Sequence, residues 1–176
     1  MDQRSDDELV ERSRGADAQA FKELVIRHEG KVAGVVQSML GRTAEAEDVG
    51  QEVFVRFYQA LEKFRGESLV STYLIRIAIN LSLNEIKKRK KQDVLFKRIE
   101  EGHSAKTPDD KADVKEIITY EVSQLDPDDK LVISLRMIEG YSTGETAALL
   151  GIPLGTVLSR LFRAQKKLKS ALAKYK

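Results

Sequence analysis

Apolar residues recur at intervals of three and four along almost the whole chain, and the three prolines, Pro108, Pro127 and Pro153, fall between the periodic segments instead of inside them. An interior proline would remove a main-chain donor and clash with the preceding turn, so this placement leaves nearly every segment able to form an α-helix. The spacing predicts an all-α protein. Covalent stapling is excluded, because the chain has no cysteine. With no thiolates and only His28 and His103 as imidazole donors, neither a structural metal nor a cofactor is expected.

Ser5 precedes Asp6, Asp7 and Glu8, a cap followed by acids at the positive end of a helix dipole, and predicts a first helix to about Gly15. A second helix is expected from about Ala16 to His28, burying Phe21, Leu24 and Val25, and a third from about Lys31 to Leu40, closed by Gly41. A longer one, about Ala44 to Phe64, carries Val49, Val53, Phe57, Ala60, Leu61 and Phe64 at helical spacing. These four elements can enclose one small core. After Gly66 the periodicity resumes with Leu74, Ile77, Ala78, Leu81 and Ile86 on one stripe and ends in the basic run Lys87, Lys88, Arg89, Lys90 and Lys91.

From about Asp93 to Ala112 the pattern dissolves into charged and small residues, which is linker composition. A length of 176 residues suits two small helical domains, expected over residues 1–95 and 113–176 with a flexible linker over 96–112. The second domain opens with helices from about Asp113 to Gln124 and Asp128 to Glu139, stopping at Gly140. Ser142 then caps a short helix ended by Gly151. Pro153 pre-sets the first turn of another, with Val157, Leu161, Ala164, Leu168 and Leu172 inward. This is the spacing of a helix-turn-helix.

The net charge is only +2, yet no acid follows Glu145, while Arg160, Arg163, Lys166, Lys167, Lys169, Lys174 and Lys176 do. Basic charge sorted onto one helix points to a phosphate-facing surface. Ser159, Phe162 and Arg163 fall at outward positions that can meet base edges, and Gly155 allows close approach. No nucleophile–base pair, glycine-rich phosphate loop or metal cluster argues for an enzyme. The polar N-terminus has no signal-peptide core, and no run reaches the roughly 18 apolar residues of a membrane span. A soluble cytoplasmic protein without membrane insertion is expected.

Residues 44–68, 71–91 and 140–172, in that order and at that spacing, resemble the conserved second and fourth regions of bacterial extracytoplasmic-function sigma factors of the sigma-70 family. The resemblance implies binding to core RNA polymerase through Asp48, Gln51, Glu52 and Phe54, which would dock on a coiled coil of the largest subunit. It implies recognition of the minus-ten promoter element by the loop bearing Phe64, Arg65 and Ser68 and the helix bearing Tyr73, Arg76, Asn80 and Asn84. There a flipped base would be held, with Lys87 and Lys88 against backbone phosphates. It implies minus-thirty-five recognition by Gly155, Thr156, Ser159, Arg160, Phe162, Arg163 and Lys167, and an anti-sigma factor as a further partner.

Where family members usually carry phenylalanine and tryptophan just after the loop, this chain has Val70 and Tyr73, and fewer large rings predict weaker stacking on DNA. Leu158 and Gln165 stand where basic residues are common, and Gly144 and Thr146 interrupt the usual pattern of the preceding helix. Two other readings of the residues are a helix-turn-helix regulator acting without core polymerase and a helical protein-binding adaptor.

Overall fold

A computed structural model of the chain describes residues 4–97 and 113–175, and every regular element among them is helical. The chain divides into two compact units, residues 1–87 and 88–176.

In the first unit, α1 (Asp6–Arg14) begins with a reciprocal cap. The Glu8 N–H donates to Ser5 Oγ at 3.2 Å and the Ser5 N–H donates to Glu8 Oε2 at 2.7 Å. Gly15 follows α1 with φ −73, and Ala16 takes the left-handed conformation, φ +61. Asp17 then accepts from the N–H groups of Gln19 and Ala20 and starts α2.

Helix α2 is one element, Ala18–Leu40, where the sequence predicts two. Gly30 costs a helix interior about 1 kcal/mol but does not stop it, because Leu24, His28, Val32, Val35, Val36 and Met39 continue one buried stripe across it. Helix α3 (Ala44–Ala60), capped by Thr43, passes into a 3-10 turn over Leu61–Lys63, so the element expected to reach Phe64 as α-helix tightens in its last turn. Helix α4 spans Val70–Lys97, and the division between the units at 87/88 falls within it. The helix runs beyond the expected domain end at 95, and the rest of the expected linker, residues 98–112, lies outside the described residues. Leu9, Leu24, Val36, Val53, Phe57, Leu74 and Ala78 form the centre of the core, each fully buried.

In the second unit, α5 (Val114–Ser123) precedes α6 (Pro127–Ile133), which takes Pro127 in its first turn. A π-turn over Ser134–Ile138 replaces the regular continuation expected to Glu139, closed by Glu139 N–H donating to Ser134 C=O at 2.9 Å. Helix α7 (Thr143–Leu150) has a second reciprocal cap between Ser142 and Glu145 and ends at Gly151, φ +63. That left-handed turn favours glycine for lack of a Cβ. Helix α8 (Leu154–Leu172) follows after Pro153, bent 107° from α7, within the range of a helix-turn-helix. Ala164 of α8 packs with Val122, Leu125 and Ile133, flanked by Leu161 and Leu168. No single helix among the described residues is long and apolar enough to cross a membrane.

Candidate nucleic-acid interface

The residues expected on α3 occupy two neighbouring strips. Gln51 and Phe54 line a groove between α2 and α3 with Glu47 and Gly50 from their own helix. Asp48 and Glu52 lie on the next strip, one turn apart, where Glu52 pairs with Arg56 at 2.8 Å. The groove's other wall carries Glu29, Ala33 and Gln37 of α2, which sequence reading missed. They share a face only when α2 is continuous, and a break expected at Gly30 hid that face. Val55 and Tyr58 add exposed apolar surface on α3, and Tyr58 meets Phe21 edge to face at 4.9 Å.

The loop after α3 and the start of α4 enclose a pocket of about 410 Å³ that brings together Phe64, Arg65, Ser68, Tyr73 and Arg76, with Lys63 and Glu67 on its rim. Phe64 is itself buried, packed on Tyr73 at 5.0 Å and on Phe57 at 5.8 Å, so its ring forms the foundation of the pocket. From behind, Arg14 of α1 donates from Nε to the Leu61 carbonyl at 2.9 Å and from Nη2 to the Phe64 carbonyl. Val70 is only 1% exposed. The expectation that a ring at this position would stack on DNA is therefore corrected: position 70 is core, and a larger side chain there would overpack it. Asn80 and Asn84 are exposed, beyond the pocket along α4, and Lys87 and Lys88, which open the basic run, are exposed as well.

On α8 the expected residues also form two strips. One presents Gly155, Ser159 and Phe162, with Leu158 beside them. Phe162 is 68% exposed and Leu158 49%, while Ser159 donates its hydroxyl to the Thr156 carbonyl at 3.0 Å. The other, Thr156, Arg160, Arg163 and Lys167, lies toward the start of α6, where Asp128 meets Arg160 at 2.7 Å and Asp129 meets Arg163 at 3.0 Å. The hydrogen bond and attraction from Asp129 hold the Arg163 guanidinium above its ordinary pKa, and the Asp126 hydrogen bond does the same for the Lys167 ammonium. These acids were missed because only the folded chain places α6 beside α8. A Cβ at Gly155 would meet nothing within 4 Å, so the fold itself does not require glycine there.

Two further features went unread. Thr146, fully buried in α7, has no hydrogen-bond partner for its hydroxyl, and Ser82 in α4 is in the same state. An apolar groove lined by Ile118, Ile133, Met137, Ile138, Leu168 and Leu172 opens in the second unit, with Met137 and Ile138 about 60% exposed.

Residues 24–92 match Sigma-70 region 2, and residues 115–168 match Sigma-70, region 4. The RNA polymerase sigma-H factor of Pseudomonas aeruginosa is 33% identical, covering 98% of this chain and 96% of that protein. The ECF RNA polymerase sigma-E factor of Escherichia coli K12 is 33% identical, covering 94% and 93% respectively. Among solved structures, CnrH in complex with the cytosolic domain of CnrY superposes with a TM-score of 0.71 at 26% identity, over 96% of this chain and 97% of that one. The sigma factor RpoE of Bartonella quintana, solved with the anti-sigma factor NepR, has the same fold, with a TM-score of 0.71 at 21% identity over 89% and 98% of the two chains. Two helical units ending in a helix-turn-helix, matched by both regions in order, define a sigma-type initiation factor. The chain belongs to the extracytoplasmic-function sigma factors of the sigma-70 family. It directs RNA polymerase to promoters and is not an enzyme, which sets aside the regulator and adaptor readings.

Proposed function

We propose that the two units divide the work of promoter recognition between them, residues 1–95 binding core polymerase and the minus-ten element and residues 113–176 binding the minus-thirty-five element. The observation that carries this reading is Phe162, a large ring 68% exposed in the middle of the acid-free basic helix that follows the 107° turn. An apolar ring held in solvent among cations suits a groove where phosphates attract the cations and a thymine methyl or base edge meets the ring. Open space around Gly155 supports close approach of a sugar–phosphate strand.

In the first unit, the groove beside Gln51 and Phe54, edged by Asp48 and Glu52, fits a basic and apolar helical partner, which core polymerase supplies in this reading. The pocket of Arg65, Ser68, Tyr73 and Arg76 fits one extruded base of the non-template strand. Its cations offset the phosphates, and its hydroxyls and ring compensate part of the few kcal/mol that unstacking costs. Asn80 and Asn84 extend the contact along α4, and Lys87 and Lys88 add affinity without sequence information. The protein acts in the cytoplasm, and a protein inhibitor of the anti-sigma class covers it when idle. CnrH, which this chain resembles at 26% identity, was solved with the cytosolic domain of CnrY, and RpoE of Bartonella quintana with the anti-sigma factor NepR.

In vitro transcription with core enzyme on promoters selected by the wild-type holoenzyme tests the reading. Alanine at Phe162 is expected to abolish start-site-specific RNA from promoters that depend on their upstream element, and alanine at Asn80 or Arg76 to block opening of promoters that still bind. Wild-type output from all three variants would overturn the assignment.

A further inference from the structure

The strip of α8 bearing Arg160, Arg163 and Lys167 faces the run Asp126-Pro127-Asp128-Asp129 at the start of α6. Arg160 Nη2 lies 2.7 Å from Asp128 Oδ2, and Arg163 Nη2 lies 3.0 Å from Asp129 Oδ1. Lys167 Nζ touches Asp126 and lies 3.7 Å from Asp129 Oδ2. These pairs differ in kind. The side chains of Asp126 and Asp128 are 69% and 58% exposed, so water and salt screen them. The Asp129 side chain is only 2% exposed, while that of Arg163 is 59% exposed.

That asymmetry sets the direction of dependence. A buried carboxylate must keep a partner charge, whereas an exposed guanidinium has water as an alternative, so Asp129 anchors and Arg163 is what it orients. Helix-dipole stabilisation would explain acids in the first turn of α6, but not one buried beneath a guanidinium of another helix. Asp126, at the N-cap position, makes no side-chain cap bond. A guanidinium carries five N–H donors, and the bond from Nη2 to Asp129 leaves donors for a base edge or phosphate.

The geometry points to Asp129 as a specificity-determining positioning residue, which from the protein interior fixes the direction in which Arg163, and less tightly Lys167, meets the duplex. Held from behind, the fork loses little freedom on binding and presents its remaining donors in one register. Released, the same cations become mobile phosphate-seeking charges. The inference rests on the reading that α8 faces the minus-thirty-five element.

The test uses the full-length chain with core polymerase, a promoter selected by the wild-type holoenzyme, and the same duplex with its upstream element scrambled, titrated across a salt series. Asp129→Asn is expected to lower the ratio of selected to scrambled affinity by roughly fivefold or more. It should also steepen the salt dependence on the scrambled duplex by up to about 0.9 in log–log slope. Arg163→Ala should lower the ratio as well, and the double variant should match Arg163→Ala alone. Arg163→Lys keeps a charge for Asp129, so the fold is preserved; it is expected to lose the ratio while holding scrambled-duplex affinity. A wild-type ratio and slope in Asp129→Asn, with Arg163→Ala impaired, would overturn the positioning role and leave the DNA-facing assignment standing. So would losses that simply multiply in the double variant, or a wild-type ratio in Arg163→Lys. A wild-type ratio in Arg163→Ala would instead overturn the assignment beneath it.

Discussion

Arg14 of α1 donates its Nε–H to the main-chain carbonyl of Leu61 at 2.9 Å, joining two residues 47 positions apart. A further N–H reaches the Phe64 carbonyl, so the 3-10 turn before the pocket loop is held at both ends by one guanidinium. The Phe64 carbonyl stands where the helix ladder of α3 has ended, whereas the Leu61 carbonyl also accepts from the Phe64 N–H at 3.2 Å.

Arg14→Met is therefore expected to destabilise the chain by about 1–2 kcal/mol, because methionine replaces the packed stem but removes the guanidinium donor from the Phe64 carbonyl and leaves the Leu61 carbonyl only the Phe64 N–H. Urea denaturation of the full chain measures the loss. In transcription assays the same variant should reduce permanganate reactivity of the melted promoter more than it reduces holoenzyme binding to duplex DNA. Equal reduction of both would show that the loop does not depend on this anchor.

The buried Thr146 hydroxyl has no partner, so Thr146→Val should raise stability by about 1 kcal/mol, seen as a higher urea midpoint at unchanged m. The side chain is enclosed within the turn of helices and not presented on α8. Promoter affinity should accordingly stay at the wild-type value.

Phe162→Ala should leave the unfolding free energy from urea denaturation within about 0.5 kcal/mol of wild type, because most of that ring already lies in solvent. Lys87→Ala with Lys88→Ala should flatten the salt dependence of promoter binding by about 0.9 for each phosphate no longer neutralised, without moving the transcription start site. A shifted start site would mean that these lysines read sequence.

Two backbone substitutions test the path from α1 into α2. Gly30→Ala should stabilise the chain by about 0.5–1 kcal/mol, since an added Cβ there meets nothing within 4 Å and the position is helical. Ala16→Gly should gain about 1 kcal/mol by relieving the left-handed turn at φ +61. Destabilisation by the first would indicate that α2 is broken where the sequence pattern places a break.

Local rules made much of this legible. Ser5 and Ser142 announced their helices as N-caps, and in the structure each hydroxyl accepts one first-turn N–H while Glu8 and Glu145 accept the N–H of the caps themselves. Gly151 and Pro153 marked the turn because each restricts the backbone there in a different way. At Gly30 the same logic misled, since a long apolar stripe outweighs one weak helix former. Most of what stayed hidden was long-range. The Arg14 anchor and the Asp129–Arg163 pair join residues that no periodic pattern connects, whereas the α2 wall of the groove has helical spacing and was hidden only by the expected break.

The π-turn at Ser134–Ile138 lies on the only covalent route from Asp129 to Arg163. Its i→i+5 closure takes up one residue more than an α-helical turn, and the glycine turns at Gly140 and Gly151 stand between it and α8. Loss of a single codon in that stretch would remove the residue that the wide turn takes up, so the Glu139–Ser134 closure would be lost although Asp129 and every side chain of α8 remain in the sequence.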